Sequence, residues 1–206
     1  MNKPPVSISL SSYGADLVRQ RGQGSFIAVL AAASATHIEW REELLTDEDP
    51  LQLADATQSQ GLESIYSSPM ELWLAGQSKP NPELLTTLRR AETFGAKWLK
   101  VSLGYFTDNN DLQALNRILA QSPVQLLVEN DQTLHGGRIE PFQRFWRSRA
   151  AQPADQNDLR YRQLAMAGPV RRQRCAVARP ACWLRALQSR CTPGRRQTGH
   201  RPAGCQ

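Results

Sequence analysis

The sequence predicts an α/β protein, an incomplete (β/α)8 TIM barrel of about five βα units followed by a disordered basic tail. Three observations predict it. Short apolar segments recur about every thirty residues, helical patterns with clear start and stop residues lie between them, and the composition changes abruptly near residue 146.

The apolar segments are PVSISLSS (5–12), THIEWRE (36–42), GLESIYSS (61–68), WLKVSLGYF (98–106) and VQLLVEND (124–131), each of strand length. The stretch GQGSFIAVLAAAS (22–34) reads as the first helix. DPLQLADATQSQG (49–61) reads as the second, with Pro50 at its start and Gly61 at its stop. NPELLTTLRRAETFG is the clearest: Asn81 suits the N-cap, Pro82 the first turn and Gly95 the C-terminal cap. Its Leu84, Leu85, Leu88 and Ala91 form one apolar stripe. NNDLQALNRILAQSP (109–123) places Leu112, Leu115, Ile118 and Leu119 on one face.

Strand and helix alternating at this period imply a parallel sheet with right-handed crossovers. No G-x-G-x-x-G follows the first strand, which argues against a dinucleotide fold. Polar residues gather instead at the C-terminal ends of several strands: Glu39 and Arg41, Tyr66 and Ser67, Lys100 and Ser102, then Glu129. Barrel active sites are assembled at that face from several strands at once, so the barrel is preferred.

Charge divides the chain. Residues 146–206 hold thirteen Arg, no Lys and two acids (Asp155 and Asp158), a net +11. Residues 1–145 hold twelve basic and seventeen acidic residues, a net −5. All four cysteines, Cys175, Cys182, Cys191 and Cys205, lie in the tail, which lacks Ile, Phe, Glu and Lys. The expected division is a partial barrel over 1–148 and a tail over 149–206. No apolar run approaches the roughly 20 residues of a membrane span. The start, MNKPPVSISLSSYG, lacks the apolar core of a signal peptide. With no cysteine in the body, the cytoplasm is the expected location.

Among residues that could carry chemistry, His37, Glu39 and Arg41 share one face of the second strand and Ile38 and Trp40 the other. Glu39 and Arg41 are therefore expected in the barrel mouth, with a surface salt pair as the plainer alternative. Lys100 shares its strand face with Trp98 and Ser102, and the plainer reading is a solvated strand-end lysine. In LLVENDQTLHGG (126–137) an apolar strand delivers Glu129 to the sheet edge. A carboxylate there can ligate a divalent metal or remove a proton beside a polarised carbonyl. His135 is a further candidate ligand, although a loop histidine is more often merely exposed.

These segments resemble the xylose isomerase-like barrel family of sugar phosphate isomerases and epimerases. The resemblance covers roughly residues 5–145 and rests on HIEWREEL, WLKVSLG and above all LLVENDQT with its following Gly-Gly. It implies a divalent metal (Mn, Mg, Co or Zn) held by a Glu on strand five, an Asp on strand six, a His on strand seven and a Glu on strand eight. It also implies that the two glutamates shuttle protons. Only the first ligand has a match, Glu129, which becomes the expected metal ligand and catalytic base. Glu39, Arg41 and Lys100 become expected substrate-binding residues, the last two for a carboxylate or phosphate. The expected partner is a small-molecule sugar or sugar phosphate. Because three ligands are missing, the chain is expected to be inactive, to bind no metal at Glu129 and to dissolve poorly through its open strand edges. A related barrel endonuclease acting on abasic DNA shares the metal logic, but needs more histidines than His37 and His135 provide.

The tail has the composition of an out-of-frame reading of a GC-rich gene. With codons chosen among those the visible residues allow, reading 157–168 from the second base gives MTYDIGNWQWQ, a strand-six segment with its Asp. The same shift over 179–191 gives GPHVGYVHCKAV, a strand-seven segment with its His. The expected break lies near FQRFWRSRA (142–150), around Phe145 and Trp146. The rival reading is a non-enzymatic α/β module whose Arg-rich arm binds RNA, through phosphate charge and with Tyr161 and Trp183 for stacking. The cysteine spacings match no zinc pattern.

Overall fold

Six parallel strands lie side by side in the order in which the chain makes them, in a computed structural model that describes residues 5–150 and the backbone of 161–164. The strands are β1 (Ser7–Ser9), β2 (His37–Arg41), β3 (Glu63–Trp73), β4 (Ala96–Gly104), β5 (Gln125–Glu129) and β6 (Tyr161–Leu164). Between them run α1 (Ala15–Arg21) and α2 (Ile27–Ala32), then α3 (Pro50–Ser59), α4 (Leu84–Thr93), α5 (Leu112–Leu119) and α6 (Ile139–Ala150). A doubly wound sheet would reverse its order at a switch point. This one advances steadily from β1 to β6, which is the winding of a barrel. Among the described residues β1 pairs only with β2 and β6 only with β5, so the sheet does not close. The fold is an incomplete TIM barrel.

The two faces of the sheet are unlike. Ile38, Trp40, Tyr66, Leu99, Val101, Leu126 and Val128 are buried in one core with Leu84, Leu88 and Leu115 of the helices. The alternate positions face the concave side: Glu39 on β2, Ile65 and Ser67 on β3, Lys100 and Ser102 on β4, Leu127 and Glu129 on β5. Ile65 and Leu127 are buried, yet they stand apart from the helix-side core. A period of two thus sends apolar side chains to the helices and most polar ones to the barrel interior.

Helix punctuation follows the sequence signals. Asp49 Oδ1 accepts from Leu51 N at 2.9 Å, with Pro50 opening α3. Asn81 Oδ1 accepts from Glu83 N at 3.0 Å, and its amide donates to Glu71 O, tying the approach to α4 onto β3. Asp111 Oδ1 accepts from Ala114 N at 2.9 Å at the start of α5.

Four features differ from the sequence reading. The helix expected over 22–34 is a short 3-10 turn over 23–26 followed by α2, and α1 precedes them. Glu48 causes the break, since its carboxylate accepts from Gln23 N at 2.7 Å and Gly24 N at 2.8 Å. Strand β3 runs on to Trp73, past a register shift between Ser67 and Glu71 that contains Pro69. Proline has no amide for the ladder, so the irregularity falls where it must. Helix α6 occupies the stretch expected to hold the break, with Phe142 and Phe145 buried and Arg149 donating to Asn116 Oδ1 at 2.8 Å. Finally, β6 is a sixth strand beyond the five expected, and it lies inside the segment read as tail from 149 onward. Backbone pairing with β5, in register from Leu126↔Tyr161 to Glu129↔Leu164, is the physical reason. The rest of the tail, with its cysteines and the other expected disorder, lies outside the described residues. Among the described residues no helix is long and apolar enough to cross a membrane.

Candidate functional site

At the C-terminal end of the concave face, three charged side chains from three strands meet. Lys100 Nζ donates to Glu39 Oε1 at 2.7 Å and lies 3.3 Å from Glu129 Oε2. Glu39 comes from β2 and Lys100 from β4, and β3 runs between them with Ser67 in register with Lys100. The small Ser67 leaves room for the long lysine stem to cross. Glu129 stands in register with Ser102, two residues beyond Lys100. The side chains of Lys100, Glu39 and Glu129 are only 9, 10 and 18 % exposed.

Arg41 extends the network outward. Its guanidinium reaches Glu39 Oε1 at 3.2 Å and grips Glu43 Oε1 through Nε at 2.8 Å and Nη2 at 2.6 Å. Burial opposes the charge on Arg41, but Glu43 and then Glu39 outweigh it and hold the guanidinium above its ordinary range. Both cations of the mouth are therefore already partnered by carboxylates of the same chain.

The two buried carboxylates titrate in opposite directions. Burial alone would raise Glu39, but Lys100, a hydrogen bond with Ser9 and Arg41 together hold it below the usual carboxylate range. Glu129 is raised, first by burial and then by the nearby charge of Glu39, with Lys100 offsetting only part of this. One carboxylate is thus held below its ordinary range and the other pushed above it, side by side. Such an arrangement can move a proton through Glu129 while Lys100 donates to an oxygen on which negative charge develops.

The structure brings all four expected site residues to one mouth: Glu39, Arg41, Lys100 and Glu129. It takes His37 elsewhere. That ring lies at the N-terminal end of β2, with Nε2 3.1 Å from Glu63 Oε2, Nδ1 2.7 Å from Thr36 Oγ1 and Trp98 against it. Burial, helped by Lys97, lowers its pKa against the pull of Glu63. A cleft of about 320 Å³ opens there, between Pro5, Thr36, Gly61, Glu63 and Trp98, at the opposite end of the strands from Lys100.

A second cluster at the mouth escaped the sequence reading. His135 Nε2 lies 2.6 Å from Glu71 Oε1 and its ring stacks on Tyr105 at 3.8 Å. Glu71, Ser102 and Glu129 stand in register on β3, β4 and β5, so this pair borders the first cluster. Tyr105 is placed by Gly104, whose φ is +68° and whose added Cβ would sit 2.3 Å from Trp73 O. His135 is held by the Asp131–Gly137 turn, where Asp131 Oδ1 accepts from Thr133 N and Thr133 Oγ1. A Cβ on Gly136 would fall 2.2 Å from that same Oδ1. No local signal marks Glu71, whose partner lies sixty-four residues away.

The residues present do not fit the divalent metal that the resemblance implies. Glu129 faces an ammonium rather than further ligands, and no group of three or more His, Cys, Asp or Glu able to hold a metal occurs among the described residues.

No family model and no curated protein matches the chain. Its neighbours among solved structures include a xylose isomerase domain containing protein from Salmonella typhimurium LT2, at 19 % identity and TM-score 0.46, over 63 % of this chain and 50 % of that one. D-psicose 3-epimerase, solved in the presence of D-fructose, aligns at 12 % identity and TM-score 0.45, over 64 % of this chain and 54 % of its own. A protein from Burkholderia cenocepacia J2315, described as a phosphonomutase, aligns at 20 % identity and TM-score 0.42, over 73 % of this chain and 68 % of that one. The chain spans about half the length of the first two.

Proposed function

We propose that the chain carries the proton-transfer part of a sugar phosphate isomerase or epimerase, and that as it stands it does not turn over. The observation that supports this reading is the buried Glu39–Lys100–Glu129 bridge at the C-terminal mouth, with the Glu129 carboxyl raised. In this reading Glu129 takes a proton from the carbon next to a sugar carbonyl. Lys100 donates a hydrogen bond to the carbonyl oxygen as charge builds on it, turning from Glu129 toward the substrate while Glu39 keeps its other side fixed. Arg41 and Glu43 hold Glu39 in place.

The reading further holds that the tail after α6 is the product of a shifted reading frame, which separates the mouth from the remaining strands. The test begins with the coding DNA from codon 138 onward, and continues with the frame-restored protein. Restored protein in D2O should exchange the proton beside the carbonyl of a ketose or aldose phosphate, read by NMR, whereas the present chain should not. Glu129→Gln in the restored protein should slow exchange about 10²–10⁴-fold. DNA without an alternative frame, or exchange indifferent to Glu129→Gln, overturns the reading.

The thirteen arginines of 146–206 favour a second reading, an α/β module with an RNA-binding arm. It predicts RNA affinity that falls steeply with salt and is lost with the tail, while the body stays folded.

A further inference from the structure

We infer that Lys100 fills the place of a cation between Glu39 and Glu129, so that this carboxylate pair is closed to divalent metal until the ammonium is withdrawn. The inference concerns the same mouth as the proposed reaction but rests on its geometry alone. Lys100 Nζ is 2.7 Å from Glu39 Oε1 and 3.3 Å from Glu129 Oε2. The two distances add to 6.0 Å, the upper limit on the separation of the two oxygens. A divalent cation with oxygen ligands at about 2.0–2.6 Å would hold its two oxygens no more than about 5.2 Å apart, a separation within that limit, near the position that Nζ now occupies.

Charge makes the two occupants exclusive. Two carboxylates and one ammonium sum to −1. Adding a divalent ion would set two cations against each other in a site whose side chains are less than one fifth exposed. Arg41, also bonded to Glu39, adds to that repulsion. Replacing Lys100 with a neutral side chain of similar length leaves two buried carboxylates with Arg41 at one edge, an oxygen donor pair suited to a hard cation.

The test titrates Mn²⁺ alone into the full chain, into Lys100→Met and into Lys100→Met/Glu129→Gln, reading free Mn²⁺ by EPR and unfolding temperature in parallel. Manganese favours oxygen donors, which keeps the tail cysteines out of the measurement. Wild type should show no saturable site at the mouth. Lys100→Met should bind one Mn²⁺ at least tenfold more tightly, with a dissociation constant on the order of 10⁻⁴–10⁻³ M, and should gain thermal stability from it. The double variant should return to wild-type behaviour. A folded Lys100→Met that binds no better overturns the inference. So does a stoichiometric Mn²⁺ site in wild type that Glu129→Gln abolishes, a comparison that needs no change at position 100. If Lys100→Met does not fold, Lys100→Gln carries the same expectation. Sugar conversion is not read, so failure of the proposed reaction leaves the outcome intact.

Discussion

Two charge clusters lie at opposite ends of the strands, each built around a glutamate–lysine pair. At the N-terminal end Glu63 sits between Lys97 and His37, with Lys97 59 % exposed. At the C-terminal end Lys100 sits between Glu39 and Glu129, and none of the three is more than 18 % exposed. Water screens the first arrangement and is largely kept from the second. A glutamate–lysine pair is therefore solvent-screened at one end and enclosed at the other. Burial separates the two pairs.

The comparison can be broken most directly at the lysines. Lys100→Ala should cost about 3–5 kcal/mol of stability, because it strands two buried carboxylates. Lys97→Ala should cost no more than about 1 kcal/mol. Urea unfolding of both variants checks the contrast, and equal losses would mean that the mouth is solvated like the base. Gly104→Ala comes next, at about 2–3 kcal/mol, since a side chain at φ +68° is strained and its Cβ meets Trp73 O. The same urea series reads it.

A smaller but sharper distinction lies within the mouth. Glu39 has a folded pKa below its unfolded value, so its contribution is present above about pH 4.5 and is lost as pH falls through the folded value. Glu129 has a folded pKa above its unfolded value, so the stability tied to its protonated form is complete below about pH 4.5 and is lost as pH rises through the folded value. Near neutral pH, Glu39→Gln should therefore lower the unfolding temperature while Glu129→Gln raises it. Thermal melts from pH 3 to 8 read both signs, and a fall in both variants would show that Glu129 is held as firmly ionised as Glu39.

Much of this was legible beforehand because a barrel strand announces itself twice, by its apolar alternation and by the polar residue at its end. Glu39, Lys100 and Glu129 could each be picked out on those grounds. Their meeting could not, since it depends on the register of β2, β3 and β4 and on Ser67 being small enough to let a lysine cross. Helix α1 was hidden because ADLVRQR buries only Val18, too little to make an apolar stripe. Glu71 was hidden because Pro69 breaks the alternation of β3 two residues earlier, so the strand reads as finished before it is. Helix α6 was hidden by its own arginines, Arg144, Arg147 and Arg149, which blend into the composition that follows although Phe142 and Phe145 keep the helical spacing.

The strand order has a consequence in time. Each new strand docks on the one made just before it, so the sheet can grow from β1 toward β6 as the chain is synthesised. The lysine bridge does not follow that schedule. Glu39 waits sixty-one residues for Lys100, and Lys100 must then wait for β5 to deliver Glu129. Glu39 and Lys100 are thus both made before Glu129. The residue proposed for proton transfer is thus the last of the three to be made and the least enclosed of them.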